Sequence, residues 1–309
     1  MQFAELFRCH SQKFLYNPDV DSRMLGRNMR NFFKTGLMVS AFSAAMMCTG
    51  NLANATENEA KAAQAGPRQV TLVKVNLKGY VFGFRVMKAN VSGALTDNSY
   101  SMRADLFTSG LGALLKKFQI WATTTGSIDE NGLNPISHIQ QNLDKKNRRV
   151  EMKYGSDSVD ISIVPRLGSQ GKPPASKAQR FESDDALSAL LNMMMRGFRF
   201  TGEPCVGTIP VFDSKQHYLL RMERIGDRYI KQKGFKGHTI GCSVYYVPVS
   251  GFDPEDLPSE EEASTPVKIY LAKFDEAGLY IPVRMSYKIS IFKAVIKTRN
   301  IEITKQYIE

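Results

Sequence analysis

Cysteine and histidine side chains are the groups in this sequence whose chemistry could extend to nucleophilic attack, proton transfer or metal binding. The chain has 309 residues, four cysteines and four histidines. Beyond the first fifty residues the set is a poor match to the paired ligands of a zinc site, since it consists only of Cys205, Cys242, His138, His217 and His238. The chain also has no Cys-x-x-Cys, no His-Glu-x-x-His, no phosphate-binding glycine loop and no nucleophile elbow. We therefore expect no metal, no cofactor and no catalytic residues, and we predict that the protein is not an enzyme.

The histidines and one aspartate are interpreted as structural residues. His138 lies on a predicted strand, and His217 and His238 lie in polar stretches near the cysteines. None of them has a recognisable nucleophile as a partner, which general base catalysis would require. Asp213 follows the end of an apolar strand, where an aspartate most often accepts hydrogen bonds from the backbone of a turn.

A secretory signal peptide is predicted within residues 1–55. Three basic residues precede an apolar run at 36–47, and a small-residue site follows, so cleavage is expected between Ala55 and Thr56. The apolar run is shorter than the roughly 20 residues of a transmembrane helix. Residues 1–23 are either a long basic leader or an extension from an upstream start codon, and an ordinary buried helix is the alternative to a signal. Export predicts a periplasmic protein whose mature chain has no transmembrane span.

The cysteine count fits this compartment. Cys9 and Cys48 would leave with the signal, so that only Cys205 and Cys242 would remain in the mature chain. Two cysteines in an exported protein favour one disulfide bond, which would stabilise the fold by roughly 4 kcal/mol in the chain-entropy model. Two free thiols buried as small apolar residues are the alternative.

The charge of the chain is strongly basic. The net charge is +11, and residues 1–55 contain six basic and three acidic residues, which leaves +8 on the mature chain. Such an excess suits an anionic envelope surface or an acidic polymer, or serves solubility alone. The basic cluster at 145–149 lacks interleaved aromatic residues and falls at an expected turn, so nucleic acid is not expected as a partner.

Apolar residues alternate with polar ones along most of the mature chain, which is typical of strands with one buried face. The alternation is clearest at 281–291 and recurs at 100–106, 150–154, 159–163 and 267–271. Further strands are predicted at 69–77, 80–91, 118–126, 136–144, 206–212, 216–224, 239–249 and 294–306. About a dozen strands with turn signals between them predict a mainly β fold, a strongly curved antiparallel sheet or open half-barrel.

One principal helix is predicted at 183–198, with Ser183 as its N-cap and Asp184 and Asp185 at its positive end. Its wide apolar stripe predicts burial on most sides, and the concave side of the sheet is the simplest location. A shorter helical turn is predicted at 109–117. The predicted layout is a signal at 1–55, a polar linker at 56–67, and one β-rich domain at 68–309. Flexible loops are expected at 165–181 and 251–266.

Apolar side chains between helix and sheet could line a ligand cavity, because aromatic residues and methionine adapt to irregular apolar ligands. Ordinary filling of the core explains the same residues. The candidate lining residues are Phe82, Phe84, Phe118, Trp121, Leu187, Leu190, Leu191 and Met194.

Several segments resemble an exported bacterial family known as domain-of-unknown-function family 3108. They include LKGYVFGFRV, SGLGALLKKFQIWATTTGSI, GLNPISHIQ, GEPCVGTIPVFDSKQHYLLRM and GCSVYYVPVSGF, and the resemblance covers roughly residues 68–300. It implies an all-β envelope protein in which Cys205 and Cys242 occupy positions of two bridged cysteines, and it implies no known activity. Ser214 and Leu219 depart from the family pattern, which usually has glycine and aspartate there. At the level of the fold, such sheets resemble periplasmic lipoprotein carriers, and a shared fold does not establish a shared function.

The leading hypothesis is an exported periplasmic protein, not an enzyme, that binds an apolar or lipid-like ligand or a lipidated protein in maintenance of the cell envelope. An envelope scaffold or protein-interaction module without a small ligand is the alternative. A hydrolase of a cell-wall polymer is the third hypothesis, and no acid, base or nucleophile constellation supports it.

Overall fold

The computed structural model describes residues 68–309 except 116, 145, 201, 290 and 309. The predicted signal peptide, its cleavage site at Ala55 and Thr56, and the predicted linker at 56–67 lie outside the described residues. Within the described part, the strands are β1 (Arg68–Val81), β2 (Phe84–Leu95), β3 (Ser99–Thr108), β4 (Gln119–Ile128), β5 (Leu133–Asn142), β6 (Arg149–Tyr154), β7 (Val159–Val164), β8 (Gly207–Phe212), β9 (His217–Gln232), β10 (Phe235–Ser250), β11 (Val267–Phe274), β12 (Leu279–Ile289) and β13 (Phe292–Ile308). The helices are α1 (Leu111–Leu115), α2 (Lys177–Phe181), α3 (Ala186–Met195) and α4 (Glu260–Ser264), with a 3-10 turn at Pro254–Asp256.

All thirteen described strands form one antiparallel sheet in the order β7-β6-β5-β4-β3-β2-β1-β13-β12-β11-β10-β9-β8. Each half is a meander of consecutive strands, and the pairing of β1 with β13 joins the halves. The edges are therefore β7 and β8, which are consecutive along the chain and are connected by the segment that contains α2 and α3. The mainly β fold predicted from the alternation is confirmed.

The two faces of the sheet differ as the alternation requires. In β1, Val73, Val75 and Leu77 are buried, whereas Lys74 and Asn76 are exposed. We call the face with the buried residues the inner face. On this face, cross-strand pairs run from β1 through β2 to Tyr100 on β3, and Tyr100 contacts α3. The opposite face is the outer face.

Helix α3 contacts the inner face on both halves of the sheet, at β3, β4 and β5 and at β8 and β12. One ten-residue helix can touch strands so far apart in the sheet order only if the sheet curves around it. Seven of its ten residues are buried, as expected for a helix in the concave side. Residues of α3, β8, β9, β10, β11 and β12 share one apolar cluster, in which Ala189 and Met193 represent the helix.

The helix begins later than the sequence indicated. Its N-cap is Asp185, whose carboxylate accepts hydrogen bonds from the backbone of Leu187 and Ser188, so the prediction of Ser183 as N-cap is wrong. The physical reason is that Asp184 is still extended and forms a parallel bridge with Val211 of β8. A residue held in a strand pairing cannot also adopt the first helical turn.

The tip of the long hairpin of β9 and β10 is the largest part of the sheet that the alternation missed. Prediction ended the first strand at 224 and began the second at 239, because the intervening residues are polar and glycine-containing. In the structure the hairpin is continuous, and Ile230 from its tip packs with Ala272 and Val283. Gly234 has φ +92°, and a Cβ there would lie 2.2 Å from the carbonyl oxygen of Arg299, so the tip fits closely only with glycine.

Cys205 and Cys242 form the predicted disulfide, with a Cα–Cα distance of 5.2 Å. The bond joins the segment after α3 to β10, and both cysteines are buried in the same cluster as the helix. The segments 165–181 and 251–266 contact each other through backbone hydrogen bonds from Lys172 to Phe252 and from Gly251 to Pro173. The flexibility expected for these two segments stays a prediction.

Candidate functional site

The structure does not bring the eight candidate lining residues together. Leu187, Leu191 and Met194 are buried in the core on α3, and Leu190 of the same helix is half-buried. Trp121 lies on the outer face, next to the inner-facing Ala122, under the guanidinium groups of Arg103 and Arg149.

The three phenylalanines of the predicted lining lie toward one end of the sheet. Phe82 and Phe84 flank the turn between β1 and β2 and are 56 % and 60 % exposed. Phe118 is half-buried just before β4. The candidate lining residues therefore divide between the core, the outer face and an exposed end.

The interior beside the N-terminus of α3 holds a polar network centred on Asp185. One carboxylate oxygen of Asp185 lies 2.8 Å from Nδ1 of His138 on β5. The other oxygen accepts hydrogen bonds from the hydroxyls of Thr124 on β4, at 2.7 Å, and Ser188 on α3, at 2.5 Å. Asp185 is fully buried and His138 nearly so. The network ties the start of the helix to two adjacent strands.

Electrostatics keep this aspartate ionised. Burial alone would raise the pKa of Asp185, but the adjacent His138 and the hydroxyl donors outweigh burial and lower the pKa to about 2. Tyr100 on β3 extends the network, because its hydroxyl lies 2.8 Å from the hydroxyl of Ser188. Burial raises the pKa of Tyr100 above its ordinary value, so the phenol stays neutral.

Neighbouring Asp184 behaves in the opposite way. Burial raises the pKa of Asp184 to about 7, although a hydrogen bond from the Asn192 amide opposes the rise. The charge of Arg196 also opposes the rise, but desolvation dominates. Two adjacent carboxylates at one helix start therefore have very different proton affinities.

This network anchors a helix and is not arranged to activate a nucleophile. A hydrolytic triad places the histidine between the serine and the carboxylate. Here the carboxylate of Asp185 stands between Ser188, whose hydroxyl donates to it, and His138, whose Nδ1 lies 2.8 Å away, and the whole group is buried. The interpretation of His138 as a structural residue agrees with this position. Asp213 also behaves as expected, because it accepts hydrogen bonds from the backbone of Lys215 and Gln216.

One end of the sheet exposes several large apolar side chains, and only two of them were among the candidate residues from the sequence. Besides Phe82 and Phe84, Leu114 of α1 is 81 % exposed and Ile291 in the turn between β12 and β13 is 86 % exposed. We call these four residues the apolar end. Exposed large apolar side chains that gather on one surface often mark a contact site for a partner or a membrane.

Local backbone geometry holds the apolar end together. Phe82 and Gly83 both have positive φ angles, as in the tight turn that joins two antiparallel strands. The backbone N–H of Phe82 donates to the carbonyl of Lys293 at 3.2 Å, which places this turn beside the start of β13. On the other side, α1 approaches β2 so closely that a Cβ on Gly112 would lie 2.1 Å from the carbonyl oxygen of Val86. Three neighbouring elements therefore present the four apolar residues.

The opposite end of the sheet carries a polar cleft of about 200 Å³. Its lining includes Asp97, Arg199, Asp275 and Lys305, and Arg199 is held by a hydrogen bond to the carbonyl of Thr96. The mixed charges of this cleft do not suit an apolar ligand.

Comparisons with known proteins match the chain to a protein family and leave its activity open. A family model described as "Protein of unknown function (DUF3108)" matches residues 72–297. A crystal structure of a beta-barrel-like protein of domain of unknown function DUF1849 from Brucella abortus is similar at 9 % identity and a TM-score of 0.43, over 77 % of this chain and 98 % of that chain. No curated protein matches the chain. In the described part of the chain, no helix has the length and apolar character needed to span a membrane.

Proposed function

The chain belongs to the family of proteins of unknown function DUF3108, and within it we propose that this protein is an exported, non-enzymatic protein of the cell envelope that binds a lipid-like partner at its apolar end. The observation that carries the proposal is the exposure of Phe82, Phe84, Leu114 and Ile291 on three adjacent elements. Burying such side chains releases about 1.5–3 kcal/mol each. A partner that covers all four therefore gains several kcal/mol before any polar contact forms.

The interior is a poor place for the same partner. Leu187, Leu191 and Met194 already fill the concave side together with the rest of α3. The helix is also fixed at its start by Asp185 and, beyond its end, by the disulfide of Cys205. A ligand in the concave side would have to displace a helix that is anchored at both ends, whereas the apolar end is open to solvent.

Export is supported by the disulfide and by the three-part layout of the first 55 residues. Disulfide bonds persist in the periplasm and are rare in the cytosol. We propose cleavage between Ala55 and Thr56, the linker at 56–67 and one domain at 68–309. Intact mass of the protein purified from its own envelope tests this layout, because a chain that still carries residues 1–55 would contradict export by this signal.

The lipid proposal is tested with the oxidised protein and sedimenting phospholipid vesicles. Phe82→Asn combined with Phe84→Ser should reduce the bound fraction at least tenfold, and asparagine tolerates the positive φ of position 82. Ile136→Ser combined with Val164→Ser is the matched control, because these two residues are similarly exposed elsewhere on the sheet. Equal binding by both variants, or no vesicle binding by the unchanged protein, would overturn the proposal.

An envelope scaffold is the second candidate, and the acidic helix α4 favours it. Glu260 and Glu261 are exposed on the segment 251–266, where a basic partner protein could contact them. Crosslinking in the native envelope tests this candidate. Crosslinks to one protein through this segment, in a protein that binds no vesicles, would favour the scaffold over the lipid-binding protein.

A further inference from the structure

Four basic side chains stand directly opposite one another across four adjacent strands. Lys88 on β2 faces Lys78 on β1, Lys78 faces Lys297 on β13, and Lys297 faces Arg284 on β12. Directly opposite residues share one face, with Cβ atoms about 5 Å apart. We call these four residues the basic row.

The basic row lies on the outer face. The residue next to each member in the chain points to the inner face and is buried or packed on the core: Met87, Gly79, Ile296 and Met285. Alternation then places all four cations on the side away from α3. All four are half-buried, so their stems pack on the sheet while their charged heads reach solvent.

The sheet supplies no acidic counterpart to the basic row. None of the four makes an ion pair with an acidic residue in the described part of the chain. Elsewhere on the same sheet some cations are paired, since Arg103 contacts Asp105 and Arg149 contacts Glu151. The residues 77–96, 106–128 and 277–301, which form the basic row and the apolar end, contain ten basic residues and no acidic one.

The positive charge continues from the basic row to the apolar end. Arg85 faces Tyr80, and Lys288 faces Lys293 next to the turn that holds Ile291. Arg299 and Lys297 both lie over the ring of Tyr80, at 5.3 and 5.7 Å from its centre. The acidic helix α4 approaches β12 near Tyr287. Because neighbouring residues of a strand point to opposite faces, Tyr287 lies on the face opposite Lys288, and so the acidic helix is not on the same face as the basic residues. The outer face between row and apolar end is therefore continuously basic.

We propose that the basic row and the apolar end together dock on a membrane surface that carries anionic lipids. The proposal rests on the proposed function and names its partner. Phe82 and Phe84 are each four residues from the basic row, about 13 Å along a strand. Amphipathic surfaces bury their apolar side about 5–10 Å into the interface. When the apolar end enters a bilayer to that depth, Lys288 and Lys293 meet the headgroups, and the row lies within a Debye length of their phosphates.

The experiment compares two double variants that lose the same charge. Lys78→Gln with Lys297→Gln removes the centre of the row, and Lys153→Gln with Lys305→Gln removes two exposed lysines elsewhere. Binding is measured by sedimentation with phosphatidylcholine vesicles and with vesicles containing phosphatidylglycerol. Each basic residue near an anionic surface contributes about fivefold, so the row variant, which lacks two of them, should lose about 25-fold on the anionic vesicles only. The control should stay within about twofold.

The outcomes separate this inference from the proposed function. If row and control variants bind anionic vesicles equally, or if the unchanged protein prefers neither vesicle, the basic row does not select lipid and the inference fails. The apolar end could still bind vesicles, and the protein with both Phe82→Asn and Phe84→Ser tests that binding independently. If the unchanged protein binds neither vesicle, both fail. Circular dichroism and thermal melting of each variant establish that lost binding is not lost folding.

Discussion

Replacing Lys78 with glutamine should make the protein more stable, even though Lys78 lies on the central strand pair of the sheet. Lys78 faces Lys88 on one side and Lys297 on the other, and no acidic residue in the described part of the chain pairs with it. Like charges directly opposite each other destabilise a sheet. Glutamine keeps most of the methylene packing and removes both repulsions.

The size of the effect follows from the two contacts. Cross-strand pairs are worth about 0.2–1 kcal/mol each, and two repulsions therefore cost about 0.4–2 kcal/mol. Because the side chains are only half-buried, solvent screens them and the lower half of the range applies, about 0.5–1 kcal/mol. For a domain of this size that corresponds to a rise in Tm of about 1–4 °C.

Thermal melting by circular dichroism at low and high salt measures this. At 0.1 M salt the Debye length is about 10 Å and the gain should be visible, whereas at 1 M it is about 3 Å and the gain should vanish. Lys305→Gln is the control, since Lys305 is exposed and faces Thr71, so its removal relieves no repulsion. A Lys78→Gln protein that melts at or below the unchanged protein at low salt, or that keeps its gain at 1 M salt, would refute the reasoning.

Two further predictions concern the core. Cys205→Ser or Cys242→Ser should each lower the free energy of unfolding by roughly 4 kcal/mol in urea denaturation under oxidising conditions. If the difference in this free energy between the variant and the unchanged protein is no larger under oxidising than under reducing conditions, the disulfide does not stabilise the fold. Asp184→Asn should stabilise by a few kcal/mol at pH 8 and by nothing at pH 3. The sign follows because the pKa of Asp184 is raised from 3.8 to about 7 in the fold, so the native state binds the extra proton and stability falls as pH rises from about 4 to 7. Equal denaturation midpoints of this variant and the unchanged protein at pH 8 would contradict the burial argument.

The strands were predictable because burial on one face leaves a period of two in the sequence. In β12 the alternation of Ile281, Val283 and Met285 located the strand, but it did not reveal that Ile291, of the same parity, lies exposed in the turn. The period of two in apolar residues indicates an extended backbone, but it does not indicate where the sheet ends. The hairpin tip around Ile230 was missed for a related reason, because its apolar partners come from β11 and β12 and leave no local pattern.

The candidate sites were harder to predict because their residues are distant in sequence and become neighbours only through the pairing register of the strands. Thr124, His138 and Asp185 are far apart in the chain and meet only when β4, β5 and α3 are assembled. Leu187 and Phe82 are equally apolar in sequence, yet one is buried and the other is 56 % exposed. Lys78 and Lys297 likewise form no cluster in sequence, and only the pairing of β1 with β13 makes them neighbours.

Some cations of the sheet pair with acidic residues and those of the basic row do not, and this contrast is the strongest argument that the basic row serves binding. On β3 and β6, Arg103 and Arg149 each lie beside an acidic residue two positions away, which shows that the sheet accommodates internal pairing. In the basic row, by contrast, Lys78 and Lys297 each face another cation on both neighbouring strands. Such a surface lowers the stability of the isolated protein, and a bound anion restores it, because a ligand of the native state stabilises that state. Anionic vesicles should therefore raise the Tm of the unchanged protein more than that of the Lys78→Gln protein, since only the former has the full repulsion to relieve.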